Sequence, residues 1–549
     1  MVDKRKPISN NSRVMNNNRR NFLASVVGVG SISVAGCMGS GSNGTSEASD
    51  ASEDQEASYG GHLEMAFEDT VQHLNPMLQA SVSGYGVLSQ LYSSLVIMDS
   101  ELELYGDLAE DWESNDDATE WTFYLRENAT WHHNGENVTA EDVSATLEKV
   151  IDPDTGSPGQ EVISSLEETS INNDYEVTLF LSEGDADVPA KMNNQWLRIM
   201  PEEVVNDNEL FENARSQDFG CGPFVLEDWE QGNYTELTRF EDYHLTSEDG
   251  DELPYLDELT IYVYPDESTM RSEMENGGLD LLSHEYPNSI YEDLQGSPDI
   301  QSTEVPSGLC YPLLMNPNIE PFDDQRVRHA IKHAIDKEAV LQVAGRNLGV
   351  LGEDNFISPA HQYYADLDDP FGSSSQTEEA NELLEDAGYS DGLEIPMPLK
   401  TPSDFGDPIG PTATIIQDTC GQVGIDIEIE QVSTDYWLSN VEGTGDFYMG
   451  LYSYRPVEDE ILRQVLHSEG PWNYGFASEE FDEAIDQARV TTDEDERQEL
   501  FAEAQEIAQM NAGMAVPFFS SANGLYRGVG NYEQHPSALK FDAHDLYIR

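Results

Sequence analysis

Apolar and polar side chains alternate through residues 61–67 (GHLEMAF), the two-residue period of a half-buried strand. Residues 121–126 (WTFYLR) and 177–181 (VTLFL) carry the same strand signature, each bounded by Asn and Asp. Elsewhere the period becomes helical. Thr139-Ala140-Glu141-Asp142 precedes Val143, Leu147 and Val150, a capping-box start to an amphipathic helix. Asp323-Asp324 caps a second, with Val327, Ala330, Ile331, Ala334 and Ile335 along one face. Residues 379–387 predict a third, stopped by Gly388. Residues 494–512 predict a fourth, with Leu500, Phe501, Ala504, Ile507 and Ala508 at helical spacing. Short strands interspersed with amphipathic helices predict an α/β architecture.

Length extends this picture: 549 residues are too many for one ordinary core and suit two or three lobes. Charge changes it more. The chain has 107 acids against 26 lysines and arginines, a formal net charge of −81. The acids interleave with apolar residues along the whole length, as on an acidic folded surface. Such a surface repels itself at low salt. In molar salt, where the Debye length is about 3 Å, that repulsion is screened. The composition therefore predicts a protein of very salty surroundings. It argues against nucleic acid as a partner, because phosphate needs a basic patch. Of the cysteines Cys37, Cys221, Cys310 and Cys420, none stands in a CxxC spacing, so neither a zinc ribbon nor a redox motif is expected.

The leader reverses the charge, with six cations against one acid in residues 1–36. Arg19-Arg20 followed by Asn21-Phe22-Leu23 resembles a twin-arginine export signal, and residues 22–35 are an apolar run of signal-peptide length. Val34-Ala35-Gly36-Cys37 resembles a lipobox, which makes Cys37 the expected lipidated residue. Residues 38–58 are rich in Gly, Ser and acids and read as a flexible tether. A large soluble body held at the cell surface by a lipid is the expected arrangement.

The body carries a series of motifs in a telling order: Leu108-Ala109-Glu110-Asp111-Trp112, WTFYLR, Trp131-His132, and Thr139 to Val143 (TAEDV). Gly220-Cys221-Gly222-Pro223-Phe224 follows, then Leu253-Pro254-Tyr255-Leu256-Asp257 and Asn276-Gly277-Gly278-Leu279-Asp280. Residues 321–340 (PFDDQRVRHAIKHAIDKEAV), Gly445-Asp446-Phe447 and Asn473-Tyr474-Gly475 before Phe481-Asp482 complete the series. Together they resemble the family 5 extracellular solute-binding proteins, the dipeptide, oligopeptide and nickel class of ABC importers. The resemblance implies a two-lobed α/β fold of the periplasmic-binding-protein kind, with a ligand cleft between the lobes and an extra subdomain in the first. The implied division is a signal peptide at 1–36, lipidated Cys and tether at 37–58, and a first lobe at 59–308 with its subdomain near 103–200. A second lobe follows at 309–516, and 517–549 return to the first. The implied partners are a small solute (an oligopeptide, a sugar or another) and the membrane permease subunits. The expected receptor is a monomer without a cofactor.

A cleft for a small ligand needs aromatic walls and a few polar groups. The richest such stretch gives Tyr452, Tyr454, Arg455, Trp472, Asn473 and Tyr474, with Trp437 upstream and Tyr311 on the segment crossing between lobes. About half of the aromatics are expected to be core on ordinary burial grounds. In peptide-binding relatives an aspartate after the Gly-Asp-Phe strand receives the ligand's ammonium; Tyr454 stands at that place here and Arg455 follows. Glu458 or Asp459 is near enough in sequence to substitute. Arg455 suits an anionic or hydroxyl-rich group, or else pairs with one of the many acids.

Two other classes compete. An enzyme is disfavoured because the sequence has no nucleophile elbow, phosphate-binding loop or HExxH. A surface-tethered hydrolase and a nickel-binding receptor remain the alternatives. His329 and His333 share a helix face at a metal-compatible spacing, but their context reads as a solvated helix face. A structural surface-layer protein would need repeats or Thr-rich stalks, which are absent.

Overall fold

The computed structural model describes residues 57–283, 286–403 and 408–549. Arg19, Arg20, Cys37 and nearly all of the tether lie outside them.

The expected first strand forms as His62–Phe67 and pairs in parallel with Glu258–Val263, His62 opposite Glu258 and Phe67 opposite Val263. It lies inside an eight-stranded sheet ordered Gln301–Cys310, Phe518–Tyr526, Leu281–Leu282, His62–Phe67, Glu258–Val263, Tyr234–Arg239, Phe224–Glu230, with Gly349–Leu351 also on Phe518–Tyr526. Its core joins Leu63, Met65 and Phe67 to Leu259, Ile261 and Phe541.

A second, four-stranded antiparallel sheet runs Ala109–Ser114, Glu120–Leu125, Glu176–Leu181, Leu166–Asn173. The helix Ala140–Ile151 packs on it, burying Val143, Leu147 and Val150. The Asp142 carboxylate accepts from both the backbone N–H (2.8 Å) and the hydroxyl (3.0 Å) of Thr139, so the acid of TAEDV is a cap. This is the extra subdomain.

A third, five-stranded sheet runs Ile429–Val432, Leu399–Pro402, Phe447–Met449, Leu313–Met315, Met514–Ala515. It has its own core, in which Leu313 and Met315 meet Phe322, Val327, Ile331, Ile416 and Phe447. The helix Gln325–Ala334 begins at Asp324, whose carboxylate accepts from the Arg326 N–H at 2.9 Å. The helix Glu494–Asn511 begins likewise at Asp493. Separate cores make the molecule the two-lobed α/β fold that the sequence motifs imply. The chain passes between the two large sheets twice, between Cys310 and Leu313 and between Ala515 and Phe518.

The motif 220–224 is structural. A Cβ on Gly220 would lie 1.7 Å from the Leu91 carbonyl oxygen, so only glycine lets this turn close on the end of the helix Val82–Leu91. Cys221, Cys310 and Cys420 are buried free thiols.

Candidate functional site

The segment after strand Phe447–Met449 runs beside the crossing strand. Tyr452 and Cys310 exchange two backbone hydrogen bonds, 3.0 and 3.1 Å. This fixes the next residues against the junction between lobes. The Tyr454 ring lies over Gly308, where a Cβ would come within 2.5 Å of it. Its other neighbour is His361, 4.9 Å between ring centroids, and its hydroxyl donates to the Ala360 carbonyl at 3.2 Å. From the first lobe, Met98 and Leu102 close on Tyr454 in a small apolar cluster. Leu102 holds a left-handed backbone, φ 68°, at the tip of a turn organised by the Asp99 carboxylate. For a leucine that is a strained conformation, and what it secures is the contact across the seam.

His361 positions this segment. Its Nδ1 accepts from the Ser358 N–H at 3.1 Å, and the ring also hydrogen-bonds the Arg455 backbone. Burial pushes the imidazole down to about 4, so it is neutral and supplies shape and a hydrogen bond, not charge.

The structure separates the residues that the sequence grouped. Trp437, Tyr452 and Tyr474 are buried in one aromatic cluster with Tyr448 and Phe356, and half-buried Trp472 packs on it, 6.4 Å from Tyr452. Tyr311 belongs to the five-stranded sheet's core and packs on Phe518 at 5.9 Å. The Asn473 amide is spent within its own turn. It donates to the carbonyls of Leu466 (3.0 Å), His467 (2.9 Å) and Phe476 (2.8 Å), and accepts from the Gly475 N–H (2.7 Å). Asn473→Ala is accordingly expected to cost about 1–3 kcal/mol of stability, read by denaturant titration, whatever the ligand.

Arg455 is half-buried and donates to the Ser453 hydroxyl; among the described residues no carboxylate comes within 4 Å of it. In so acidic a chain that is a notable freedom. The two acids near enough in sequence to replace the ammonium-binding aspartate are occupied. Glu458 is buried and accepts from the Tyr363 N–H at 2.7 Å. Asp459 faces Arg463 at 3.3 Å and Arg489 at 4.0 Å. His329 and His333, the candidate metal pair, turn to different partners, the Met510 carbonyl (2.8 Å) and the Gln376 side chain (2.7 Å). No group of three or more potential metal ligands occurs among the described residues.

A second feature of the seam escaped sequence reasoning. Asp187 of the subdomain takes a bidentate hydrogen bond from Arg497 of the other lobe, 2.7 Å to each oxygen, and both side chains are 7% exposed. Beside it Asp185 binds Lys191 at 2.5 Å, and Arg489 reaches Glu183 at 3.0 Å while its carbonyl accepts from the Ala186 N–H at 2.7 Å. Burial alone would depress the Lys191 ammonium, but Asp185, Asp459 and Asp187 outweigh it and hold its pKa above the usual value. The sequence offers only scarcity as a signal for this cluster: the chain has 26 lysines and arginines against 107 acids.

Burial pushes Glu458 up to about 7. Its pKa in the unfolded chain is near 4.5, so between these values the folded state holds a proton that the unfolded state has lost. Stability therefore falls as pH rises from about 4.5 to about 7. Glu458→Gln is expected to flatten that fall, as followed by melting temperature against pH.

The profile of the bacterial extracellular solute-binding proteins, family 5 middle, matches residues 103–505. The chain belongs to the family 5 extracellular solute-binding proteins. It is similar to the Heme-binding protein A of Haemophilus influenzae, 24% identical over 473 residues, 80% of this chain and 83% of that one. It is also 25% identical to the Dipeptide-binding protein of Escherichia coli over 471 residues, 80% and 86% of the two chains. Among solved structures, HbpA2 of Haemophilus parasuis superposes with a TM-score of 0.78 at 21% identity, covering 89% of this chain and all of that one. The family is one of solute receptors for ABC importers, so the chain is a solute-binding protein whose partners are a small solute and a membrane permease. No described helix is long and apolar enough to cross a membrane.

Proposed function

We propose that this receptor captures its solute at the seam beside Tyr454, Arg455 and Trp472, and that the solute presents an anionic or hydroxyl-rich group to Arg455. The carrying observation is that Arg455 has no carboxylate within 4 Å among the described residues, although acids outnumber cations fourfold. A half-buried guanidinium whose nearby charge, Glu460, stays beyond ion-pair distance is a ready partner for an anion. A free-amine dipeptide fits less well, because Tyr454 replaces the acid that would meet the ammonium and Glu458 and Asp459 are engaged elsewhere. Tyr311, Trp437, Tyr452 and Tyr474 then shape the wall from behind, and Asn473 holds the turn that carries Trp472.

The lobes divide at 59–308 and 309–516, with 517–549 returning to the first; the two passages between sheets support this division. Closure about those passages is the signal read by the permease. A twin-arginine signal at Arg19-Arg20 and a lipid on Cys37 place the body at the outer face of the membrane, in a high-salt medium, as a monomer. The test is thermal unfolding of the mature chain in molar KCl with peptides, sugars and small carboxylates. A cognate solute raises the melting temperature as RT ln(1 + [L]/Kd). If carboxylates and sugars leave it unmoved while free-amine dipeptides raise it, the assignment at Arg455 fails.

A further inference from the structure

Arg198 and Lys540 line one recess in the wall of the first lobe, together with Ser94, Asn193, Tyr243 and Ile97. Arg198 is 7% exposed and donates from one Nη to the Tyr92 carbonyl at 2.8 Å, but its Nε has no hydrogen-bond partner. Asn193 Nδ2 and Ser94 Oγ, both buried, also lack partners. Lys540 is half-buried and gives a single hydrogen bond, to the Asn193 carbonyl.

Neither cation has a carboxylate within 4 Å among the described residues. Two acids also line the recess and act on the Arg198 guanidinium from beyond 4 Å, although their closest partners are other groups. Asp107 accepts from the Ser94 N–H and faces His244 Nε2, both at 2.7 Å. Asp542 lies 3.7 Å from His544. Burial and the adjacent guanidinium push the Lys540 ammonium down to about 7, with a partial pull back from Asp542. An unpartnered buried donor costs about 1–3 kcal/mol, more if charged. Two such N–H donors, Arg198 Nε and Asn193 Nδ2, with the Ser94 hydroxyl and the Lys540 ammonium beside them, call for an acceptor. The free space is small, about 10 Å³, so the recess takes a single atom-sized occupant and a halide must push its lining outward slightly.

We propose that Arg198, Lys540, Asn193 and Ser94 form a receiving pocket for one small anionic group. Water is the weaker occupant, since it offers no charge to the buried Arg198 guanidinium. The anion has two sources of the same chemistry: free halide, or the carboxylate of the bound solute. The second rests on the receptor reading above; the first does not. The recess is close in sequence to the seam, because Ile97 precedes Met98 and Asn193 follows Ala190, both in the cluster around Tyr454.

Crystals of the mature chain grown in molar sodium bromide test the proposal. An anomalous bromine peak is expected within hydrogen-bonding distance of Arg198 Nε and Asn193 Nδ2. In solution, chloride titrated against gluconate at constant ionic strength is expected to raise the melting temperature, and Lys540→Met or Arg198→Met to abolish that rise. Crystals grown with bromide and acetate together, at the same ionic strength, separate the sources. Loss of the bromine peak with carboxylate density in its place assigns the pocket to a carboxylate; a peak that persists assigns it to halide. An empty or water-filled recess in both salts, with melting temperature independent of chloride, would overturn the proposal. The diffraction arm uses the unaltered protein, so it stands even if a variant fails to fold, and it is independent of solute identity.

Discussion

Replacing Arg497 by alanine is expected to lower the stability of the mature chain by about 3–5 kcal/mol, because the change strands the Asp187 carboxylate, buried and without its bidentate partner. Burial sets the size of the loss. An exposed pair of the same geometry would be worth less than about 1 kcal/mol. Asp187→Asn should cost less, since the amide keeps an acceptor for the guanidinium. The double variant should cost less than the sum of the single ones, because each removes the charge that the other leaves unpaired. Denaturant titration in molar KCl reads all of these. A loss under about 1 kcal/mol for Arg497→Ala would mean that water enters the seam there. Because the pair joins a residue of the subdomain to a residue of the other lobe, Arg497→Ala should also weaken solute affinity if closure is part of binding.

The second large effect is on binding. Arg455→Ala is expected to weaken the cognate solute about 10- to 100-fold, the range for losing a hydrogen bond to a charged group, about 1.5–3 kcal/mol. Stability should change little, because Arg455 is half-buried and its named partner is the Ser453 hydroxyl two residues away. Tyr454→Phe provides the contrast. It removes a hydroxyl that serves the Ala360 carbonyl and keeps the ring that packs on His361, so it should spare affinity more than Tyr454→Ala does. Isothermal titration in molar salt separates these variants. Equal affinity for wild type and Arg455→Ala would remove this segment from the site.

Much of the fold could be read from local pattern because its elements carry their own signals. The helices Ala140–Ile151 and Gln325–Ala334 begin at the Thr139 and Asp324 caps that the sequence displays, and Glu494–Asn511 ends one residue short of its expected span. The helix expected at 379–387 begins two residues earlier, at Thr377, because Glu378 and Glu379 suit a helix N-terminus and belong to its first turn. The five-stranded sheet was not legible strand by strand. Leu313–Met315, Phe447–Met449 and Met514–Ala515 are two or three residues long, too short to display a period.

At the site, sequence reasoning found the aromatic stretch but not which faces it turns to which neighbours. Composition cannot tell the Tyr474 ring inside the core from the Tyr454 ring at the seam. The Asp187–Arg497 pair is 310 positions apart in sequence and had no local signature at all. Nor did the Arg198 recess, whose partners come from the ends of unrelated segments.

Native mass spectrometry of the mature chain, purified in molar salt from cells that make it, shows whether the protein carries a solute at Arg455. One small molecule bound per chain is expected, bearing an acidic or hydroxyl-rich group and lost from Arg455→Ala. A chain that carries no solute, and that acquires none from peptides, sugars or small carboxylates supplied at millimolar concentration, would contradict that expectation.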